Sequence, residues 1–383
     1  MLFHLFYPLR AEFAFFNVFR YPSFRVIAAA VMAFFIVYYL IPWFIRWMRA
    51  AGVGQPIRDD GPESHLAKQG TPTMGGVIIL CAVIVPALLL CNLKNYYVWT
   101  VTVVMVCFGL VGLADDLAKV RARNSKGVPG RLRLLLEFGI AGIALAVITM
   151  FYRFSTNFSL PFIKTQIFNP DLGVVYVGLG MLVIVGTANA VNLTDGLDGL
   201  AIGPSIVSSG TFLILAYGTG TVIAGFNIAE YLKIPHVPGV EELAVVCGAL
   251  LGAGIGFLWY NANPAEIFMG DVGSLSIGGA LGTMAVLTKM EILSMLINGL
   301  FLMETVSVIV QSGVYKYYRR TKGKEYADTH RVFRMAPIHH HFERVWAEDL
   351  GRPPKEVEPK VIVRLWLVAG LLSLAALGTL KLR

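Results

Sequence analysis

The chain has 383 residues, of which 56% are hydrophobic and 15% are charged, and its mean hydropathy is +0.67. This composition excludes an ordinary soluble domain and indicates a polytopic membrane protein. The formal net charge of +8 does not indicate a nucleic-acid partner, because the positive residues cluster in a few loops between apolar segments, where they are typical of loops that face the cytoplasm.

Ten apolar segments follow one another along the chain, each with about the 20 residues that a helix needs to cross the hydrocarbon core. They cover residues 23–47, 73–92, 96–114, 132–152, 174–192, 199–221, 243–261, 271–288, 291–316 and 361–380. The sequence therefore predicts an all-α polytopic integral membrane protein of about ten transmembrane helices, with residues 1–383 forming a single transmembrane domain. Glycines at 248, 252 and 256 predict close helix packing in the seventh segment.

The distribution of Lys and Arg among the loops predicts the orientation of these spans. Segment 116–133 contains six of these residues and segment 316–360 contains eleven, whereas each loop on the other side contains one or two. Both basic segments are therefore expected in the cytoplasm, and both termini in the periplasm. Residues 153–173 would then form an external loop, in which alternating Phe, Ser and Thr favour a short hairpin.

An aspartate pair, Asp115 and Asp116, ends the third predicted span in the sequence GLADDLAK. Adjacent helical residues point about 100° apart, so the two carboxylates can share one ligand only at a frayed helix end, and we expect two different roles. The alternative is an anionic helix end that faces Lys119 and Arg121.

A second pair, Asp195 and Asp198, lies between two apolar segments in NLTDGLDG. In a helix, the i, i+3 spacing places both on one face; in a turn, the neighbouring glycines allow backbone N–H groups to approach a phosphate closely. Asn192 can add a hydrogen bond. The alternative is a common Asp-Gly turn, but a carboxylate pair beside hydrocarbon favours a site.

Asp271 opens the eighth predicted span in NPAEIFMGDVGS. An aspartate at this position can serve simply as a helix N-cap. The preceding residues include Asn261, Glu266 and Phe268, which supply amide donors, a carboxylate and an aromatic face suited to a planar base. This combination favours a binding site over a cap alone.

His339, His340 and His341 form a run in the last basic loop, within APIHHHFE. Three consecutive residues cannot easily present their imidazoles to one tetrahedral ion, so phosphate contact or a structural role is favoured over zinc. The acidic motifs all fall at predicted cytoplasmic ends, and with the basic residues around them they indicate a membrane-embedded site for Mg²⁺ and a diphosphate. These patterns alone do not choose the substrate.

The motifs resemble those of the bacterial phospho-N-acetylmuramoyl-pentapeptide transferases, within the polyprenyl-phosphate N-acetylhexosamine-1-phosphate transferases. The resemblance covers ADD (114–116), NLTDGLDGLA (192–201), NPAEIFMGDVGSLSIGG (263–279), APIHHHFE (336–343) and KQGTPTMGG (68–76). It implies a multi-pass enzyme of the bacterial inner membrane that acts in peptidoglycan synthesis. That enzyme would transfer phospho-N-acetylmuramoyl-pentapeptide from UDP-N-acetylmuramoyl-pentapeptide to undecaprenyl phosphate, giving lipid I and UMP.

The resemblance also implies roles for individual residues. Asp271 would be the Mg²⁺ ligand, and Asp115 would position or deprotonate the lipid phosphate with electrostatic support from Asp116. Residues implied on the nucleotide side, where Phe268 would stack on uracil, are Lys68, Asn192, Asp195, Asp198, Asn261 and Phe268. Residues implied in contacts with phosphates or the sugar-peptide are Lys119, His339, His340 and His341. Membrane lipid and a second copy of the chain, in a homodimer, are further expected partners.

Three alternatives stay open at this point. The lipid phosphate can attack directly, which we favour because a phosphate oxyanion is already a nucleophile, or the reaction can pass through a carboxylate-bound intermediate. The donor can be another UDP-N-acetylhexosamine, although the HHH run argues against it. A secondary transporter also carries intramembrane carboxylates, but usually near the midplane and often with internal repeats.

Overall fold

The computed structural model describes residues 1–51, 70–122, 127–165, 167–223 and 225–382. Lys68, a predicted nucleotide-binding residue, lies outside these described residues. Regular structure in the described ranges is almost entirely helical, and its two strands, β1 (Val222–Ile223) and β2 (Phe226–Asn227), form one short antiparallel hairpin. The predicted all-α class is therefore confirmed.

The α-helices differ widely in length. In the first half of the chain they are α1 (Leu2–Phe6), α2 (Pro22–Ala50), α3 (Gly76–Leu90), α4 (Tyr96–Ala122), α5 (Gly130–Tyr152), α6 (Val174–Thr194) and α7 (Ile202–Gly220). In the second half they are α8 (Ile228–Leu232), α9 (Leu243–Asn261), α10 (Gly270–Leu287), α11 (Glu291–Ile297), α12 (Gly299–Thr321), α13 (Lys324–Thr329), α14 (Ile338–Leu350) and α15 (Pro354–Thr379).

Eight of the described helices are long and apolar enough to cross a membrane. A ninth candidate is the pair α11 and α12, which bends by 85° at its break. Helix α3 has only 15 residues, and at about 1.5 Å per residue it is shorter than a hydrocarbon core of about 30 Å. All ten predicted segments thus coincide with helices, and eight or nine of the described helices are long and apolar enough to be full spans.

Helix α10 lies at the centre of the bundle, with 89% of its apolar window buried. Its glycines let the neighbouring helices approach closely, since a Cβ on Gly278 would lie 2.6 Å from Cα of Ala188 in α6. A Cβ on Gly279 would lie 3.0 Å from the ring of Phe108 in α4. Contacts between small residues are a common basis of helix packing in membranes. They hold α10, which carries Asp271 in its first turn, between α4 and α6.

The glycine repeat of α9 has the predicted packing role. A Cβ on Gly248 would lie 2.7 Å from the carbonyl oxygen of Val26 in α2, and one on Gly256 would lie 3.0 Å from that of Phe34. Only residues without a side chain allow the two helices to come this close.

The two ends of the bundle hold different polar groups. We call the end that contains Asp271 the acidic end, and the opposite one the far end. At the far end, the buried guanidinium of Arg25 donates two hydrogen bonds, of 2.6 and 2.7 Å, to Glu242. There also, buried Lys289 donates to the carbonyl oxygen of Asn157 at 3.2 Å, which ties the loop after α5 to the end of α10.

Candidate active site

Three aspartates come together where α4 and α10 meet at the acidic end. One carboxylate oxygen from each of Asp115, Asp116 and Asp271 lies within 4.8 Å of the others. The expectation that Asp115 and Asp116 cannot converge along a regular helix is therefore wrong. Helix α4 continues to Ala122, and α10 begins close beside it, so that Asp116 accepts a hydrogen bond of 3.1 Å from the N–H of Val272. Asp271 meets the two aspartates of α4 because the first turn of α10 packs against this part of α4.

Two cations face this acidic cluster. The ammonium of Lys119 lies 2.6 Å from Oδ2 of Asp115 and 2.7 Å from Oδ2 of Asp271. Arg133 of α5 lies 3.6 Å from the same oxygen of Asp271. The side chains of Asp271, Lys119 and Arg133 are 17%, 26% and 22% exposed, respectively. In the described part of the chain, the cluster therefore has more acidic than basic groups, and it remains open to solvent.

Arg133 is a site residue that the sequence patterns did not identify, since they assign it only to a basic loop. Its guanidinium donates to Oδ1 of Asn189 at 3.2 Å and lies 3.5 Å from a carboxylate oxygen of fully buried Glu137. A glutamate four residues after an arginine, inside an apolar helix, is the signal that could have identified the pair. These two partners hold the arginine beside Asp271.

Asn192 also belongs to the acidic cluster. Its Nδ2 donates hydrogen bonds of 2.9 Å to Oδ1 of Asp271 and of 2.9 Å to Oγ of Ser274. Because Asn192 lies in the last turn of α6 and Asp271 in the first turn of α10, this amide joins two helix ends and orients the carboxylate.

The NLTDGLDG motif connects α6 to α7 through a turn in which Gly199 has a φ of +77°. Buried Asp198 accepts hydrogen bonds from Nδ2 of Asn263 at 3.2 Å and from the N–H of Ala265 at 3.0 Å. Buried Asn261 accepts the N–H of Gly199 at 3.1 Å. Asp198 and Asn261 thus connect this turn to the loop before α10, so both residues have a structural role.

Asp195 directly follows α6, next to the acidic cluster. Burial, together with the negative charges of Asp271 and Asp116, raises the pKa of Asp195 to about 8. This carboxyl group therefore responds to any change in the charge of the acidic cluster.

The loop before α10 is attached to the segment before α3. The N–H of Phe268 donates to the carbonyl oxygen of Pro72 at 2.8 Å, and its own carbonyl oxygen accepts the N–H of Gly75 at 2.9 Å. The side chain of Phe268 is half-buried. The described part of the KQGTPTMGG motif is thereby held beside the NPAEIFMGDVGS motif.

The three histidines of α14 have different surroundings. His339 is fully buried, with Nδ1 3.1 Å from Oε2 of Glu304 in α12. His340 is buried with Nδ1 3.0 Å from Oε2 of Glu343, and burial lowers its pKa. Nδ1 of half-buried His341 accepts a backbone N–H at 3.2 Å. The three rings therefore have separate partners.

Two of these rings lie against the NLTDGLDG turn. A Cβ on Gly196 would lie 2.6 Å from Nε2 of His339 and 3.7 Å from Nε2 of His340. A glycine at 196 is what allows α14 to approach the turn this closely, and its neighbour Asp195 is then next to the histidines.

The donor set of the acidic cluster fits a hard divalent cation. Its three carboxylates supply oxygen ligands, which Mg²⁺ prefers and which it commonly combines with water and phosphate oxygens. The ammonium of Lys119 lies within ion-pair distance of two of these carboxylates, where it balances part of their charge. The site can therefore hold a metal ion, and Lys119 and Arg133 can bind phosphate oxygens next to it.

Comparison with known proteins gives consistent matches. The family described as glycosyl transferase family 4 matches residues 98–289, and the phospho-N-acetylmuramoyl-pentapeptide-transferase signature 1 matches residues 68–80. Proteins named phospho-N-acetylmuramoyl-pentapeptide-transferase match over the full length of both chains, with 53% identity in Syntrophus aciditrophicus (strain SB), 50% in Geobacter sp. (strain M21) and 49% in Citrifermentans bemidjiense.

Proposed function

The chain belongs to the phospho-N-acetylmuramoyl-pentapeptide-transferases of glycosyl transferase family 4, and on that premise we propose that it transfers phospho-N-acetylmuramoyl-pentapeptide from UDP-N-acetylmuramoyl-pentapeptide to undecaprenyl phosphate. Lipid I and UMP are the products. The observation that carries this proposal is the meeting of three carboxylates with Lys119 and Arg133 at one end of a helical membrane bundle. Such a cluster suits a diphosphate that binds together with a divalent cation.

We propose that the acidic end faces the cytoplasm of a bacterial inner membrane. Segment 316–360 carries eleven Lys and Arg residues and connects α12 to α15, on the same side as the acidic cluster, and cytoplasmic loops are enriched in these residues. A cytosolic nucleotide sugar and the phosphate of a membrane lipid can meet at this end.

We assign Mg²⁺ to the acidic cluster, with Asp271 as the principal ligand and Asp115 and Asp116 beside it. Bound there, Mg²⁺ supplies Lewis-acid stabilisation of the negative charge on the diphosphate. Lys119 and Arg133 donate to the remaining phosphate oxygens from α4 and α5, where Asn189 and Glu137 already hold the arginine in place.

In the proposed reaction, an oxygen of the lipid phosphate forms a bond to the phosphorus attached to the sugar. The bond between that phosphorus and the UMP oxygen breaks, and UMP leaves with the electron pair. Asp115 lies within ion-pair distance of Lys119, so it can position a phosphate held by that ammonium or accept its proton. Asp116 supports this arrangement electrostatically.

We favour direct attack, because the lipid phosphate mainly needs correct placement. An attack by a carboxylate would instead release UMP before the lipid acceptor binds. Rapid-quench measurement without lipid acceptor distinguishes the two routes: a burst of UMP equal to the enzyme concentration would contradict direct attack.

The nucleotide side of the site is assigned to the residues that border the NLTDGLDG turn and the loop before α10. This assignment includes Asn192, Asp195, Asp198, Asn261 and Phe268, together with Lys68. Phe268 would stack on uracil. The three histidines and Lys119 would contact phosphates or the sugar-peptide.

The expected homodimer remains a prediction. Light scattering of the purified protein in detergent, corrected for bound detergent, would measure the protein mass of the particle. A mass of about one chain would contradict the dimer.

The first experiment measures UMP release by the purified protein with both proposed substrates, with and without Mg²⁺. We expect Mg²⁺-dependent release that Asp271→Asn abolishes, while the conservative surface change Arg319→Lys leaves it unchanged. Turnover with UDP-N-acetylglucosamine but not with the proposed donor would support the transfer reaction and contradict the assignment of the donor. Absence of turnover with both donors would contradict the transferase proposal and favour the transporter alternative.

A further inference from the structure

Glu304 is a buried acid that the proposed reaction does not use. It lies in the second turn of α12, and neither its side chain nor that of His339 has any exposed surface. A carboxylate in such a position is costly unless hydrogen bonds compensate its lost solvation. The hydrogen bonds of Glu304 should therefore show how its buried carboxylate is stabilised.

One oxygen of Glu304 makes two contacts with His339. Oε2 accepts the backbone N–H of His339 at 3.3 Å and lies 3.1 Å from its ring Nδ1. The first contact sets where α14 begins relative to α12. The second fixes the rotation of the imidazole and requires a proton on Nδ1, because the carboxylate oxygen can only accept. Nε2 is then the ring nitrogen that remains for a ligand.

Nε2 of His339 is a buried polar atom without a hydrogen-bond partner in the described part of the chain. It lies against Gly196, where an added Cβ would be 2.6 Å away. Gly196 directly follows Asp195 and precedes the buried residues that join the turn to the loop before α10. A buried nitrogen with no partner, held at a turn of the candidate site, is suited to a phosphate or hydroxyl oxygen of a ligand.

We propose that Glu304 is a positioning residue, which holds His339 so that Nε2 contacts a phosphate oxygen of the nucleotide-sugar donor at the Gly196 turn. This inference rests on the proposed transferase function. This contact requires the imidazolium form of His339: Nε2–H donates to the phosphate oxygen, Nδ1–H donates to Glu304, and the Glu304 carboxylate balances the positive charge of the ring. His340 has a different partner at Nδ1: Glu343 of its own helix, and not a residue of α12.

A double-mutant cycle tests this role with Glu304→Gln, His339→Asn and the combined variant. We expect Glu304→Gln to lower kcat/KM for the nucleotide-sugar donor at least about tenfold, as is usual when the partner that orients a functional histidine is removed. In the His339→Asn background the same change should cost less than about twofold, because the ring to be positioned is gone.

Ser307→Ala is the matched control. Ser307 lies three residues further along α12, is also buried, and donates only to the backbone carbonyl oxygen of Glu304 at 2.6 Å. We expect its kcat/KM to stay within about twofold of the original value. Thermal unfolding in detergent shows which variants are folded, and Glu304→Asp, which keeps the charge, replaces Glu304→Gln in the cycle if the latter does not fold.

Two results would overturn the positioning role. One is an equal loss of kcat/KM from the Glu304 change with and without His339, and the other is a kcat/KM of the folded Glu304 variant within twofold of that of the original chain. The proposed transferase function fails separately, because it requires the unmodified chain to release UMP from UDP-N-acetylmuramoyl-pentapeptide, a result that does not depend on any Glu304 variant.

Discussion

The acidic cluster and the Arg25–Glu242 pair place the same kinds of charge at opposite ends of the bundle. At the far end, two hydrogen bonds of 2.6 and 2.7 Å join Arg25 to Glu242, and the N–H of Asn92 donates to the same carboxylate at 2.9 Å. The side chains of the pair are 2% and 9% exposed. One positive and one negative group thus compensate each other inside the protein.

At the acidic end, three carboxylates face two cations, and the side chains are 17% to 26% exposed at Asp271, Lys119 and Arg133. Among the described residues, carboxylates outnumber cations at this end, and part of the cluster is accessible from outside. A complete buried pair contributes to the fold, whereas an open cluster with excess charge of one sign can accept a ligand. The two ends should therefore respond to substitution in opposite ways.

Asp271→Asn changes the acidic end alone and should have the largest effect on activity. We expect kcat to fall on the order of a thousandfold, because loss of the principal metal ligand removes several kcal/mol of charge stabilisation. The thermal unfolding midpoint of the ligand-free protein should fall only slightly, because the lost contacts of the carboxylate with Lys119 and Asn192 are partly offset by weaker repulsion from Asp115 and Asp116. UMP release measures kcat, and thermal unfolding measures the midpoint. A kcat within tenfold of the original would contradict the assignment of Asp271 as the principal metal ligand.

Glu242→Gln changes the far end alone. We expect a loss of about 3–5 kcal/mol in stability, because Arg25 would remain buried without its counter-charge, while kcat of the folded protein stays unchanged. Denaturant titration in detergent and specific activity measure the two effects. The double variant Arg25→Met, Glu242→Leu is the control and should be more stable than Glu242→Gln. A large loss of kcat in folded Glu242→Gln would remove the distinction between the two ends.

Phe268→Ala should affect the nucleotide more than the chemical step. Stacking of a base on an aromatic ring contributes about 1–3 kcal/mol, so we expect KM for the nucleotide sugar to rise about tenfold or more with a smaller decrease in kcat. Phe268→Tyr keeps the ring and serves as the control. A decrease confined to kcat would count against stacking on uracil.

Asp195→Asn should give the smallest effect, and one that depends on pH. The pKa of Asp195 is about 8 in the folded chain and about 3.9 in an unfolded one, so the folded state binds this proton more tightly. The stabilisation is complete below about pH 4 and is lost as the pH rises to about 8. With a chelator present, Asp195→Asn should therefore raise the thermal midpoint at pH 8 and raise it by less at pH 5. Equal shifts at both pH values would contradict this pKa.

The helices could be predicted from the sequence because an apolar segment in lipid must satisfy its backbone groups internally. The bend of 85° between α11 and α12 was missed, because residues 291–316 form one apolar run without an internal proline. The break falls at Asn298-Gly299, a dipeptide that favours turns and was the available signal. The length of α3 was overestimated because the apolar pattern continues into residues that form its connections.

The residues of the acidic cluster could be named from their motifs, but their convergence could not. Whether Asp115 and Asp116 reach Asp271 depends on how α4 packs against α10, which no local pattern specifies. The same holds for Glu304, which lies 35 residues before His339 in sequence. Arg133 was missed because a positive charge near a basic loop also has the simpler explanation of membrane orientation.

The burial of α10 has a consequence for biosynthesis. Its mean hydropathy is 1.2, a value shared with α7 and lower than those of the other six long spans in the described ranges, although 89% of the window is enclosed by protein. A segment of this kind gains little from entering lipid alone, because insertion into the bilayer depends on the apolarity of the segment itself. We therefore expect α10 to be retained in the membrane through its neighbours, so that the acidic cluster assembles only after α4 and α6 are in place.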